Sequence, residues 1–130
     1  MEKGAVQMRW YLYTLKNYAK FSGRATRKEY WIFTLVNKVT FWSLIYLASY
    51  SSSAFYLRAN ITLIYIAIFI VPTLAVEARR LHDSGKTGWW QLLNLVPFGG
   101  AVLLVFCIIE SDEGDNKYGP NPHSNLKQAI

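Results

Sequence analysis

Charge is scarce in this sequence. Only 17% of its 130 residues are Asp, Glu, Lys or Arg, against about 25% in ordinary soluble domains. That deficit argues against a water-facing globule. Cysteine is scarcer still. Cys107 stands alone inside an apolar run, so neither an intramolecular disulfide nor a cysteine metal cage can form, and the residue reads as a small core or lipid-facing side chain. Histidine is limited to His82 and His123. The acidic run Asp112, Glu113, Asp115 and Asn116 lacks the alternation and the distant closing glutamate of an EF-hand loop. No metal and no cofactor are expected. No cleavable leader is expected either. Lys3 and Arg9 open the chain, but Lys16, Asn17 and Lys20 interrupt the stretch after them, and no small-residue cleavage site appears. The first span is therefore expected to act as an uncleaved anchor.

What is present is apolar and aromatic, 52% and 16% of residues. The length suits one domain, 1–130. A membrane-crossing helix needs about 20 mostly apolar residues, and three segments qualify. They are 30–50, with Asn37 and Lys38 as polar blemishes; 55–76, with Arg58 near its start; and 89–109, which carries no charge. Helices satisfy every backbone donor and acceptor within the segment, which a lipid environment demands. Upstream, at 5–21, Met8, Tyr11, Leu12, Leu15, Tyr18 and Ala19 share one helical face, and Arg9, Tyr13, Lys16 and Lys20 the other. Such a basic amphipathic stretch suits an anionic inner leaflet, or packs its apolar face on the spans. Ser22-Gly23 supplies a turn, and Thr26 with Glu29 forms a capping box before the first span. The expected fold is an all-α integral membrane protein, with three transmembrane helices preceded by a basic amphipathic interfacial helix. A polar tail, 110–130, completes it.

Orientation is set by Lys and Arg. Lys3, Arg9, Lys16, Lys20, Arg24, Arg27 and Lys28 precede the first span, and Arg79, Arg80 and Lys86 lie between the second and third. Three spans place those two basic segments on one side. The N-terminus is then cytoplasmic, the tail periplasmic or extracellular, and His82 and His123 fall on opposite sides. Trp31, Trp89 and Trp90 sit at the inner boundary, where aromatic side chains anchor helices. Pro97, Gly99 and Gly100 interrupt the third segment. Either they kink a spanning helix, the reading adopted, or they fold a re-entrant hairpin that returns the tail to the cytoplasm.

The short motifs form an ordered set: Phe21-Ser22-Gly23-Arg24, Arg27-Lys28-Glu29-Tyr30-Trp31, Arg79-Arg80-Leu81-His82-Asp83-Ser84-Gly85, Gly88-Trp89-Trp90, Pro97, and Asn116-Lys117-Tyr118-Gly119-Pro120-Asn121-Pro122. Over 8–122 this set resembles the bacterial inner-membrane family called domain of unknown function 805 (DUF805). The resemblance implies a small bacterial inner-membrane protein. It brings no established reaction or substrate, so it transfers no catalytic residue.

The densest polar cluster is the second loop. Arg79 and Arg80, with Arg24 and Arg27 upstream, are candidates for lipid phosphates or a partner's carboxylates. His82 beside Asp83 is a candidate for titration near neutral pH. The plainer reading is a well-built inner loop, its arginines obeying the positive-inside rule or paired with Glu29 or Glu77. Gly85-Lys86-Thr87 lacks the upstream glycine and strand of a phosphate loop, so a nucleotide site is rejected. Lys38 lies about 12 Å into the first span. It either lines an intramembrane polar path with Asn37 and Asn94 or reaches the inner headgroups with its long stem, the favoured reading. No nucleic-acid module is present.

Together these features describe a non-enzymatic membrane protein, a scaffold or accessory subunit that contacts anionic lipid or other membrane proteins. The alternative is a small homo-oligomeric channel or transporter. A lipid-headgroup enzyme ranks third.

Overall fold

The computed structural model describes residues 2–123. Residues 124–130 of the expected tail lie outside the described residues. Among the described residues the main helices follow in order: α1 (Glu2–Lys16), α2 (Arg27–Ala48), α3 (Ala54–Asp83), the 3-10 helix Gly88–Leu95, and α4 (Gly99–Ile108). Among the described residues there is no strand, only an isolated pairing of Asn116 with Gly119.

Helices α2 and α3 form an antiparallel hairpin. At 1.5 Å per residue they extend about 33 and 45 Å, enough to cross a hydrocarbon core of about 30 Å. Val39, Trp42, Leu47, Leu63, Ile64 and Ile66 are all at least half exposed along them. Water would penalise an apolar belt of this extent, whereas lipid does not. Thr26 caps α2, its side chain accepting from the Glu29 backbone N–H at 3.1 Å. The Glu29 carboxylate does not complete the box but turns inward to Arg79.

Pro72 sits inside α3 and has no N–H to offer the Ile68 carbonyl one turn earlier. The Tyr18 hydroxyl, just past α1, donates to that carbonyl instead. Tyr11 stacks on Phe33 at 5.4 Å, and Trp10 and Thr14 are buried. Helix α1 thus packs Trp10, Tyr11, Thr14 and Leu15 toward the spans, while Met8 and Leu12, expected on the same apolar face, remain exposed.

The third apolar segment differs from the continuous helix expected at 89–109. It breaks at Val96–Phe98, and its two halves fold back on one another. Val96 is extended ahead of Pro97, and Phe98 adopts a left-handed conformation, φ 62°. Trp90 meets Phe106 edge to face at 5.4 Å, and the Lys86 ammonium lies 4.9 Å from the same ring. Gly99 makes the reversal possible, since a Cβ there would stand 1.8 Å from the Leu93 carbonyl oxygen. The α-helical half has ten residues, about 15 Å of helix, too short to span. The segment is a hairpin because backbone punctuation overrides its apolar composition.

The hairpin also changes where the tail goes. It does not sit at the far end of the bundle from the N-terminal segment, as three spans require. The Asp112 N–H donates to the Asp83 carbonyl at 2.8 Å, and Arg24 reaches the Gly114 carbonyl at 2.7 Å. His123 goes with the tail. Its Nε2 is 3.4 Å from Ser111 Oγ, which itself donates to Asp83, so both histidines lie at one end.

Candidate functional site

The polar side chains of four segments converge at that end. Asp83 is fully buried and receives three donors: Arg24 Nε on Oδ1 at 2.8 Å, and Arg80 Nη1 and Ser111 Oγ on Oδ2. Arg80, also fully buried, spends its remaining donors on carbonyls of Ala25, Cys107 and Ile109. Arg24 reaches beyond Asp83 to the carbonyls of Asp112 and Gly114. One carboxylate and two guanidiniums therefore tie the turn before α2, the end of α3, the end of α4 and the tail into a knot. Burying these charges is tolerable because nearly every donor meets an acceptor.

A second pair flanks the knot. Arg79 Nη1 donates to Glu29 Oε1 at 2.5 Å, and Thr14 of α1 donates to the same carboxylate oxygen at 3.4 Å. The Arg79 carbonyl accepts the Ala25 N–H. Arg79 Nε and Nη2 are buried without a hydrogen-bond partner, so this arginine is less completely satisfied than Arg80. Together the knot and this pair set three cations against two carboxylates.

His82 and Asp83 are adjacent in sequence but not joined in space. His82 Nδ1 lies 3.0 Å from the Gly23 carbonyl oxygen, which can only accept, so that nitrogen carries a proton. Its ring stacks flat on Tyr118, 4.0 Å between centroids and 3° between planes. Asn116 adds a hydrogen bond to the His82 carbonyl at 2.9 Å. The tail motif thus serves as a clasp over the end of α3. Gly85, at φ 74°, passes so close to the Asp112 carboxylate that a Cβ would stand 2.7 Å from it.

Ser111, Asp83 and His123 superficially resemble a hydrolase triad. The order of contacts is wrong, because the aspartate holds the serine rather than the imidazole. In a working triad the acid orients the histidine, which then takes the serine proton. Among the described residues no group of three His, Cys, Asp or Glu side chains has metal-site geometry.

The structure therefore brings Arg24, Arg79, Arg80 and Asp83 together and buries them. Their donors and acceptors face protein rather than lipid. Arg27 stays outside, with a side chain 49% exposed and only a 3.8 Å approach to Glu110. The intramembrane candidates divide. Asn37 and Lys38 line one cavity of about 330 Å³ between α2 and α3, with Thr34, Tyr65 and Thr73. Asn37 accepts from the Tyr65 hydroxyl at 2.9 Å and from Tyr11 at 3.5 Å. Burial raises the Tyr11 pKa above the ordinary tyrosine value, more than the Asn37 contact lowers it, which keeps that hydroxyl a donor. Asn94 lies apart, its amide 3.4 Å from the buried Glu77 carboxylate.

Lys38 stands eleven residues after Arg27, about 16 Å along α2 and near the middle of its length. Helical side chains lean toward the helix N-terminus, which tilts Lys38 back toward the knotted end, where Glu77 is within electrostatic reach. Of the two carboxylates offered to the loop arginines, Glu29 takes Arg79 while Glu77 meets Asn94 instead, and sequence reasoning missed Ser111, Asn116 and Tyr118 as participants. Only the presence of Asn116 and Tyr118 in the tail motif signalled the last two.

No solved structure matches the chain. Relatives of known sequence do. Inner membrane protein YhaI of Escherichia coli (strain K12) is 44% identical over 118 residues, covering 88% of this chain and 96% of the relative. Inner membrane protein YhaH of the same strain is 42% identical over 120 residues, covering 88% and 97%. Uncharacterized protein YiiR, also of that strain, is 26% identical over 126 residues, covering 76% and 83%. The model of a protein family of unknown function, DUF805, matches residues 18–120. That match takes in Arg24, Glu29, the whole α2–α3 hairpin, the broken third segment and the clasp at Asn116 and Tyr118, and with it this membrane protein belongs to the DUF805 family.

Proposed function

We propose that this chain is a non-enzymatic scaffold or accessory subunit of the bacterial inner membrane, which contacts anionic lipid or another membrane protein. One observation carries the reading. The arginines and carboxylates at the polar end of the bundle are spent on one another and on backbone carbonyls, so they stiffen a platform and leave little to bind or turn over a substrate. Such a knot suits a protein whose task is to hold a surface in place.

In this reading α2 and α3 cross the membrane, and the 3-10 helix with α4 re-enters from the cytoplasmic side. The N-terminal segment, the loop after α3 and the tail all face the cytoplasm. Seven basic residues up to Lys28, with Arg79 and Arg80 at the end of α3 and Lys86 just after it, support that orientation. The test is the mass and composition of the complex extracted from native membrane in polymer discs. A defined complex with another membrane protein is expected. A bare monomer, with headgroup turnover lost in His82→Ala, would contradict the reading.

The Asn37–Lys38 cavity favours a second reading, a homo-oligomeric channel or transporter, because an ionisable side chain at that depth is costly without a function or partner. A homo-oligomer in the same discs, with liposome flux lost in Lys38→Leu, would select it.

A further inference from the structure

Helix α1 and the start of α2 diverge to leave a groove of about 630 Å³, within the range of small-molecule sites. Its rim and its floor differ in chemistry. Lys3, Arg27 and Lys28 place three cations at the groove, against one anion, Glu2. Trp10, Trp31 and Ile32 form apolar walls. Arg27 and Lys28 are the first two residues of α2, where the helix dipole also favours negative charge. Ile32 lies about 6 Å deeper along the helix axis. Along α2 the cations thus come first and the apolar wall residues Trp31 and Ile32 follow, the order in which a span entering a membrane meets headgroups and then hydrocarbon.

From this we infer that the α1–α2 groove is a seat for one anionic phospholipid, whose phosphodiester meets Arg27, Lys28 and Lys3 and whose upper acyl chain lies against Trp10, Trp31 and Ile32. Charge complementarity selects the occupant. Three cations with a single opposing carboxylate want a phosphate, and the adjoining indoles want hydrocarbon rather than water. The competing contact of Arg27 is weak: Glu110 is 3.8 Å away and its side chain 87% exposed. The buried arginines of the knot are not part of this seat, so the phosphate is held by the exposed cations Lys3, Arg27 and Lys28, while the apolar wall is fixed by the packing of Trp10 and Trp31 on the fold.

This assignment rests on the lipid-contact part of the functional reading, and the two can be separated. Native mass spectrometry of the full chain, titrated with phosphatidylglycerol and with phosphatidylcholine of the same acyl chains, measures the headgroup preference. The wild-type protein is expected to prefer phosphatidylglycerol by about tenfold. The preference should vanish in Lys3→Gln/Arg27→Gln/Lys28→Gln and persist in Lys3→Arg/Arg27→Lys/Lys28→Arg. Trp31→Ala should weaken both lipids without changing their ratio. Equal binding of the two lipids by wild-type protein overturns the lipid-contact reading itself. A preference that survives the triple glutamine variant overturns only the groove assignment. Displacement of bound lipid by glycerol phosphate would also overturn it, by making the phosphate sufficient without the apolar walls.

Discussion

The two ends of α3 obey different rules. Between Ala75 and Asp83 every residue except His82 is buried, and the side chains include Glu77, Arg79, Arg80 and Asp83. From Ala54 to Val71 no residue is buried, and Arg58 is the only charged one. One helix thus passes from a lipid-facing half with few polar contacts, the Tyr65 hydroxyl on Asn37 and the Ile68 carbonyl under Tyr18, to a half where a dense set of polar contacts fixes the fold. Lipid tails are as apolar as leucine, so they offer no hydrophobic drive for helices to associate. Polar contacts and backbone fit at the knotted end must supply the specificity that the lipid-facing end cannot.

That contrast orders the expected effects of substitution. Arg80→Ala should be the most damaging. It leaves Asp83 with one guanidinium fewer and three carbonyls unsatisfied, and breaking such a buried pair costs about 3–5 kcal/mol. Thermal unfolding in detergent micelles reads the loss. An Arg80→Met/Asp83→Leu double variant that proves as unstable as the single one would undermine the role given to the uncompensated charge.

Gly99→Ala should come next. Its Cβ collides with backbone at Leu93, not with a mobile side chain, and forced backbone shifts cost about 1–3 kcal/mol. A spin-label pair placed on the 3-10 helix and on α4 should separate. Tyr18→Phe should cost about 1 kcal/mol, the worth of one hydrogen bond at the carbonyl freed by Pro72. At the other end, Arg58→Gln should shift stability by less than about 0.5 kcal/mol. Its Nε donates to the Ala54 carbonyl, one turn away in an exposed stretch. A large loss there would erase the contrast between the two ends.

Much of this is legible in the sequence, for identifiable reasons. Two spans announce themselves by length and apolarity, and Thr26 declares the start of α2 by its capping chemistry. The pairing of a loop arginine with Glu29 is among the readings the second loop allows, and Arg79 supplies it. The third segment misleads because hydropathy counts side chains, whereas the reversal depends on backbone: a left-handed Phe98, an extended Val96 and a glycine under a carbonyl. A continuous third span carries the tail to the wrong end and separates the two histidines. The tail's part in the knot is hidden for a related reason. Arg24 and Arg80 bind carbonyls of Asp112, Gly114, Cys107 and Ile109, and a carbonyl is common to every residue type, so no motif marks it.

The central claim is that the third segment turns back and leaves the tail at the same end as the N-terminal segment. Accessibility of single cysteines in intact cells, in a background lacking Cys107, tests it most directly. A membrane-impermeant maleimide should label Ser52→Cys, in the exposed connection between α2 and α3, without permeabilisation. It should label Gly4→Cys and Lys117→Cys only after the membrane is opened. Labelling of Lys117→Cys in intact cells, with Gly4→Cys still protected, would contradict the account and restore a third span.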